Sequence, residues 1–168
     1  MYEYSPKPNR TPGLALGLIF FISAVVLILP FQSEQPLASL LLGIGILFLI
    51  ASCAVIERFV LTDYIYGIER TDTGTDFTVT AVRFKRRVTV CRVSVYSISE
   101  LMLTSHHKHQ RRLKYYNYCP DLVGNNRCFI RLAGDEEAII KFSPDGQIIS
   151  ILSGYISREQ RDSDLSTS

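Results

Sequence analysis

Two long uncharged stretches occupy the first third of the chain, one between Arg10 and Glu34 and the other between Glu34 and Glu57. Within them, residues 13–29 and 37–56 are almost entirely apolar, and each meets the roughly 17 to 25 residues that a helix needs to cross a hydrocarbon core of about 30 Å. Because backbone polar groups find no water in lipid, both segments are predicted to be helices. We therefore predict a transmembrane helical hairpin over residues 11–56, with a short polar connection at 30–36.

A cleaved signal peptide is the alternative interpretation of the first apolar segment. However, its apolar run is longer than the usual core of a signal peptide, and no A-x-A-like cleavage site follows Leu29. The sequence therefore favours a retained transmembrane helix.

The charges that flank the two segments predict an orientation. Lys7 and Arg10 precede the first helix, Glu34 is in the connection, and Arg58 follows the second helix. Because short basic flanks favour the cytoplasmic side, we predict a multi-pass protein of the cell membrane whose N- and C-termini are both cytoplasmic. Residues 1–10 are then a cytoplasmic N-terminal segment, and the lipid bilayer is the first predicted partner.

Small residues in both segments predict close helix packing. Gly13 and Gly17 on the first helix, and Ser39 and Gly43 on the second, have the four-residue spacing that lets membrane helices approach each other. They are predicted to pack the hairpin together, and a homodimer through the same residues is the alternative. No Asp, Glu, Lys, Arg or His lies inside either span, which argues against a transporter or an intramembrane protease.

Beyond Arg58 the apolar pattern changes to a period of two, which is typical of β-strands with one buried face. A change of face after Ala81 predicts a β-bulge near that residue, and Lys85 and Arg86 are predicted at the tip of a tight turn. Residues 57–157 are therefore predicted to form one β-rich domain. Its seven predicted strands cover residues 60–68, 77–84, 87–95, 98–104, 113–119, 127–132 and 138–142.

A single amphipathic helix is predicted to close this domain. Ser143 suits the N-cap, Pro144 suits the first helical position, and the apolar residues that follow share one face. That face includes Ile148, Leu152 and Tyr155, and it is expected to cover the sheet. Residues 158–168 lack apolar content and are predicted to be a disordered tail.

The segments TDYIYGIERTDTGTDFTV, KRRVTVCRVSVYSISEL, YYNYC and IIKFSPDGQIISIL, preceded by two apolar spans, resemble bacterial membrane-anchored proteins with a pleckstrin-homology-like (PH-like) domain. The resemblance implies an all-β barrel or sandwich of about seven antiparallel strands, capped by the C-terminal helix. In the eukaryotic relatives the first hairpin loop is basic and binds phosphoinositides, whereas here it contains Asp72 and Asp76. Phosphoinositide binding at this loop is therefore not expected.

Basic residues cluster instead around the predicted turn between the second and third strands, as Arg83, Lys85, Arg86 and Arg87. Near an anionic leaflet each cation contributes about 1 kcal/mol of attraction, so one interpretation is that the four face lipid headgroups and orient the domain. The pattern favours the other interpretation, a solvated hairpin tip whose charges suppress edge-to-edge aggregation.

All three histidines lie together, as His106, His107 and His109, with basic residues around them. Imidazoles are common ligands of metals such as Zn²⁺, so these residues are weak candidates for a metal site. Adjacent side chains on an irregular loop point apart, and no carboxylate is nearby to orient the rings. No metal and no other cofactor is therefore expected.

Sequence motifs of catalysis are missing. No nucleophile elbow, phosphate-binding loop, dinucleotide-binding glycine pattern or HExxH motif is present, so no catalytic residues and no enzyme activity are expected. The part from Glu57 onwards has 16 Lys and Arg against 14 Asp and Glu, a balance too even for a nucleic-acid-binding surface. The four cysteines lack C-x-x-C spacing and are expected to be free thiols.

These features favour a membrane-anchored, cytosol-facing interaction or scaffold module that binds a protein partner or forms homo-oligomers. An exposed sheet edge or the open end of the barrel would receive the partner. The alternative is an accessory or regulatory subunit of a membrane transport or stress-signalling complex that acts through its transmembrane helices.

Overall fold

The computed structural model describes residues 1–29, 36–72, 74–103, 113–123, 127–133 and 137–166, without the side chains of residues 36 and 158–166. The chain divides into two compact units. The helical unit comprises Pro8–Thr62 and Asp121–Val123, and the β unit comprises Met1–Lys7, Asp63–Pro120 and Gly124–Ser168. The first residues of the chain therefore belong to the same unit as the β-strands, although both apolar stretches separate them in sequence.

Two apolar helices form most of the helical unit: α1 spans Thr11–Ile28 and α2 spans Pro36–Phe59. Each is long and apolar enough to cross a membrane. Pro12 lies in the first turn of α1, where a backbone N–H would have no partner within the helix. Residues 30–35 of the predicted connection lie outside the described residues.

Small residues line the contact between α1 and α2. A Cβ added at Gly13 would lie 2.6 Å from Cβ of Phe59, and one at Gly17 would lie 2.7 Å from Cγ1 of Ile56, so neither position has room for a side chain. The Ser52 hydroxyl donates a hydrogen bond to the carbonyl oxygen of Gly17 at 2.8 Å, which satisfies a polar group inside the contact. The buried small residues are Gly13, Gly17 and Ala24 on α1, and Ala38, Gly45 and Ser52 on α2.

The second pair of predicted packing residues, Ser39 and Gly43, lies outside the contact between α1 and α2. Ser39 is exposed, and a Cβ at Gly43 would have no atom within 4 Å in the described chain. Gly45 lies in the contact instead, because a Cβ there would be 2.7 Å from Cγ1 of Ile28. On α2 the small residues of the contact recur every seven residues, as they do along the line of contact between two packed helices. A search for a four-residue spacing does not detect this pattern.

The first of two four-stranded sheets has the order β1-β2-β3-β4, and all its neighbouring strands are antiparallel. Its strands are β1 (Tyr2–Tyr4), β2 (Asp63–Thr71), β3 (Gly74–Arg83) and β4 (Arg86–Ser94). β1 is absent from the sequence-based prediction, because three residues are too few to show an alternating pattern.

The second sheet has the order β5-β7-β8-β6. A short 3-10 helix (Val95–Ser97) leads from β4 into it, and its strands are β5 (Ile98–Met102), β6 (Lys114–Asn117), β7 (Cys128–Leu132) and β8 (Ala138–Phe142). β6 lies parallel to β8, whereas the other pairs are antiparallel.

Two expectations are corrected here: the eight described strands form two separate sheets and no closed barrel, and they are not all antiparallel. Alternation shows which face of a strand is buried, but it does not show which strand is the neighbour.

Both sheets and the C-terminal helix share one hydrophobic core with aromatic rings at its centre. The ring centroid of Phe142 lies 5.3 Å from that of Tyr66, in an edge-to-face arrangement, and 5.0 Å from that of Phe77. The Tyr66 hydroxyl donates a hydrogen bond to the carbonyl oxygen of Tyr118 at 2.9 Å and accepts one from the backbone N–H of Ser143 at 3.2 Å. This side chain therefore connects β2 to the segments that follow β6 and β8.

The C-terminal helix α3 spans Gly146–Ser166, which differs from the prediction at both ends. Asp145 rather than Ser143 caps the helix, because its Oδ1 accepts a hydrogen bond from the backbone N–H of Ile148 at 2.9 Å. Its other carboxylate oxygen accepts a hydrogen bond from the Tyr2 hydroxyl. The helix also continues through most of the predicted disordered tail, since Arg, Glu and Gln favour helix and each added residue of an existing helix gains a hydrogen bond.

We predict that Gly17→Val lowers the stability of the helical unit, whereas Gly43→Val leaves it unchanged. A valine at position 17 would overlap with Ile56, and overpacking of this kind costs about 1–3 kcal/mol. The measurement is the denaturant midpoint for loss of helical circular dichroism, with the full chain in detergent micelles. Equal midpoints for the two variants would contradict the packing described above.

Candidate functional site

The turn between β3 and β4 has an unusual backbone. Arg83 pairs with Arg86, and the two residues between them, Phe84 and Lys85, have φ angles of 45° and 69°. These are the positive φ values of a type I′ turn, which hairpins usually fill with Asn-Gly. A residue with a Cβ in this left-handed region costs roughly 1–2 kcal/mol, so Phe84 is strained at the tip of the hairpin.

The four candidate lipid-facing cations surround this strained residue. Arg83 ends β3, Lys85 is in the turn, and Arg86 and Arg87 begin β4, and all four are exposed. The Phe84 ring between them is itself 79% exposed. The structure therefore brings the four cations together around one exposed aromatic ring, with Phe84 and Lys85 at the tip of the turn instead of Lys85 and Arg86.

An apolar pocket of about 750 Å³ opens beside this turn. Tyr64 and Ala81 line it from the buried face of the first sheet, and Val88 and Val90 line it from β4. Its volume is within the range of roughly 300–1,000 Å³ that is usual for ligand sites. Three turn residues complete the lining: Arg83, Phe84 and Arg86.

The pocket exists because the inner face of the first sheet extends beyond the core. Val88 pairs with Ala81, and directly opposed residues of adjacent strands point to the same face. Ala81 is 8% exposed, but Val88 is 59% exposed. The apolar face of the first sheet therefore extends beyond the region that other described residues cover.

A β-bulge adds one more apolar residue to this wall. In the register of β3 and β4, Val79 opposes Cys91 and Thr80 opposes Thr89, which leaves Val90 between them without an opposed residue. Val90 is part of the pocket lining, so the bulge places two valines, two positions apart, on the same wall.

The position of this bulge corrects the prediction of a bulge near Ala81. β3 keeps one buried face through Phe77, Val79 and Ala81, and it pairs with β2 without a shift. The extra residue is in β4, where the inward-facing apolar positions change parity between Val90 and Cys91. The sequence therefore predicted a bulge in the β3–β4 hairpin, but assigned it to β3 instead of β4.

Two tyrosines form another side of the pocket. The ring centroids of Tyr64 and Tyr118 lie 5.9 Å apart, and the Tyr118 hydroxyl donates a hydrogen bond to the carbonyl oxygen of Val90 at 3.4 Å. This bond joins the segment after β6 to the bulge of β4. The pocket is therefore bounded by the first sheet and by the segment that follows β6.

Two thiols of the β unit, Cys91 and Cys128, are not suited to nucleophilic chemistry. Burial raises the pKa of Cys128 to about 12, and burial also raises the pKa of Cys91. Because the thiolate is the reactive form of cysteine, both residues serve as small apolar side chains at neutral pH.

The candidate metal ligands His106, His107 and His109 lie outside the described residues. In the parts of the chain that the structure describes, no group of three or more His, Cys, Asp or Glu residues could hold a metal ion.

Sequence reasoning located the basic cluster but missed the pocket beside it. Alternation assigned Phe84 to one face of a strand, and its exposure follows from the positive φ values of the turn. Two signals of the pocket were present in the sequence. The two residues between Arg83 and Arg86 have the length of a two-residue hairpin turn, and Val88 and Val90 follow this turn on one face of the next strand.

Comparisons of the chain with protein-family models, with curated proteins and with solved structures found no match.

Replacement of the turn by the residues that its backbone favours, Phe84→Asn with Lys85→Gly, is expected to stabilise the β unit. Asn and Gly adopt positive φ with little strain, and relief of about 1 kcal/mol raises the unfolding midpoint of a domain this size by roughly 4–8 °C. The measurement is thermal unfolding of the full chain in micelles. The control Phe84→Ala keeps a Cβ and should bring no comparable gain, and a lower midpoint for the double variant would argue against strain in the turn.

Alkylation should detect the protected state of Cys128. With a pKa of about 12, this residue has almost no thiolate at pH 8, so iodoacetamide should modify it more than about a thousandfold more slowly than an unfolded thiol. Peptide mapping of the full chain before and after denaturation measures the two rates. Similar rates in the folded and unfolded chain would show that Cys128 is accessible and ionised.

Proposed function

We propose that this chain is a membrane-anchored binding module, in which α1 and α2 span the bilayer and the β unit binds its partners next to it without catalysis. The pairing of β1 with β2 is the main support. Tyr2 opposes Ile68 and Tyr4 opposes Tyr66, and β1 precedes α1 whereas β2 follows α2. Two strands of one sheet occupy the same compartment, so a chain that crosses the membrane after β1 has to cross it again before β2.

The surfaces of the two helices support insertion into lipid. Ile19, Ile22 and Leu47 are 60%, 59% and 65% exposed, and they are part of a large apolar surface on both helices. An apolar surface of this size is unfavourable in water, whereas lipid chains cover it at no such cost.

Flanking charges support a cytoplasmic location of the β unit. Lys7 and Arg10 precede α1, and Arg58 is in the last turn of α2. Basic residues at the ends of membrane helices favour the cytoplasmic side, and both sets of charges agree with the same orientation.

Two features support binding as the role of the β unit. One is the apolar pocket at the basic turn, and the other is β4, which has a neighbour on one side only among the described strands. An open edge of this kind accepts an added strand from a protein partner or from a second copy of the chain. A relation to PH-like domains is part of this proposal, supported by the order of strands followed by one C-terminal helix.

Thiol labelling in intact bacterial cells tests the proposed topology. Single cysteines are introduced into the full chain at Glu3 in β1, at Glu100 in β5 and at Ser33 in the connection between the helices. A membrane-impermeant maleimide should label Glu3→Cys and Glu100→Cys only after the cells are opened, above the background of the native thiols, and should label Ser33→Cys in intact cells.

The wild-type chain, treated in parallel, is the control for the native cysteines. Labelling of positions 3 and 100 from opposite sides of the membrane would overturn the proposal, because β1 and β2 could not then belong to one sheet. Labelling of all three positions from the same side would overturn it as well, since α1 and α2 would not cross the bilayer.

A further inference from the structure

The pocket beside the β3–β4 turn combines two kinds of surface. Its walls are apolar at Ala81, Val88 and Val90, and its lining also includes two cationic residues, Arg83 and Arg86. A ligand that matches both surfaces has an apolar chain and an anionic group at one end. Arginine forks bind phosphate oxygens in pairs, so a phosphate ester fits this rim well.

The local charge at this rim is positive. Arg83 to Arg87 contains four cations and no acidic residue. The neighbouring strand contributes Asp63, which opposes Val82 in the register, and the four cations outnumber this carboxylate. The rim therefore attracts anions, and it does so next to an apolar opening.

Chain connectivity shows which end of the first sheet carries this rim. Residues 60–62 alone connect α2 to β2, so β2 begins at Asp63, directly after the helical segment. Asp63 opposes Val82, one residue before Arg83, so the basic turn is at the end of the β2–β3 pair where β2 begins. Under the proposed function, in which α2 spans the bilayer, the basic turn therefore lies beside the first residue of β2 after the membrane segment.

We propose that the pocket holds one acyl chain of an anionic phospholipid, whose phosphate lies between Arg83 and Arg86. The inference rests on the proposed function, because it needs the β unit to be next to a bilayer. The exposed ring of Phe84 enters the lipid interface at the mouth of the pocket, where aromatic side chains are favoured. The strain of Phe84 is then the cost of placing an aromatic ring at this point of the turn.

The strand β4 offers matched positions for a test of this pocket. The chain contains no Trp, so Val88→Trp introduces a single fluorophore into the pocket wall. Thr89→Trp is the control, because Thr89 opposes Thr80 on the other face of the same hairpin. The full chain is reconstituted in vesicles of phosphatidylcholine and phosphatidylglycerol, with bromine on the acyl chains of one lipid at a time to quench a Trp that contacts them.

We expect brominated phosphatidylglycerol to quench Val88→Trp more strongly than brominated phosphatidylcholine does, while Thr89→Trp shows no preference between the lipids. Arg83→Ser and Arg86→Ser should each lower the preference for phosphatidylglycerol about fivefold. Val90→Trp, on the same wall, repeats the measurement if Val88→Trp fails to fold.

Three results would overturn the lipid pocket. Equal quenching at positions 88 and 89, or equal quenching by the two lipids, would show that the hairpin contacts the bilayer without selecting an anionic lipid. Fluorescence at position 88 that is unquenched by either lipid but shifts with protein concentration would show that a second copy of the chain occupies the pocket.

A Trp on the exposed face of α2 separates this inference from the proposed function. Quenching of Leu47→Trp by both brominated lipids supports membrane insertion, so a failure at position 88 alongside quenching at position 47 refutes the lipid pocket alone. The absence of quenching at position 47 refutes both proposals.

Discussion

The pairing of β1 with β2 constrains every other part of the molecule, because these two strands enclose both apolar helices in sequence. Two contacts outside the strand backbone hold β1. The Tyr4 ring lies 6.5 Å from the Tyr66 ring, and the Tyr2 hydroxyl donates a hydrogen bond to the Asp145 carboxylate that caps α3. This hydrogen bond raises the pKa of Tyr2 to about 12, so the phenol retains its proton as a donor throughout the physiological pH range.

The candidate site follows from the way the first sheet ends. Near the core, α3 and the second sheet cover the inner face of the first sheet, but toward the β3–β4 turn this face extends beyond them. The bulge at Val90 turns a further apolar side chain into that uncovered region, and the two-residue turn then places Phe84 and the arginines at its margin. A strained turn and an uncovered apolar face are each unfavourable for a protein in water, and both occur at the same end of the sheet.

Much of the architecture could be predicted from the sequence, for reasons that are physical. An apolar helix leaves a long uncharged stretch in the sequence, and a sheet with one buried face leaves an alternating one, so both apolar helices and most strands have a clear pattern. Other features depend on residues that are distant in sequence. β1 is held by Asp145 and Tyr66, and the parallel pairing of β6 with β8 leaves no periodic signal. Ser143 and Asp145 are both capable N-caps in the sequence, and only the bond from Ile148 to Asp145 shows which of them caps α3. The basic cluster was visible in the sequence, whereas the pocket needed the register of β4.

The position of β1 has a consequence for how the chain is made. β1 leaves the ribosome before β2, roughly 60 residues separate the two strands, and at about 5–20 residues per second β2 follows several seconds later. During this interval α1 and α2 are synthesised, so the first sheet is completed only after both helices have left the ribosome. Under the proposed topology, a chain with only one helix across the membrane would place β1 and β2 on opposite sides, which leaves the edge of β2 unpaired and the core beneath it open. Completion of the β unit then depends on the insertion of both helices, and a misinserted chain of this kind presents proteases with an unfinished domain.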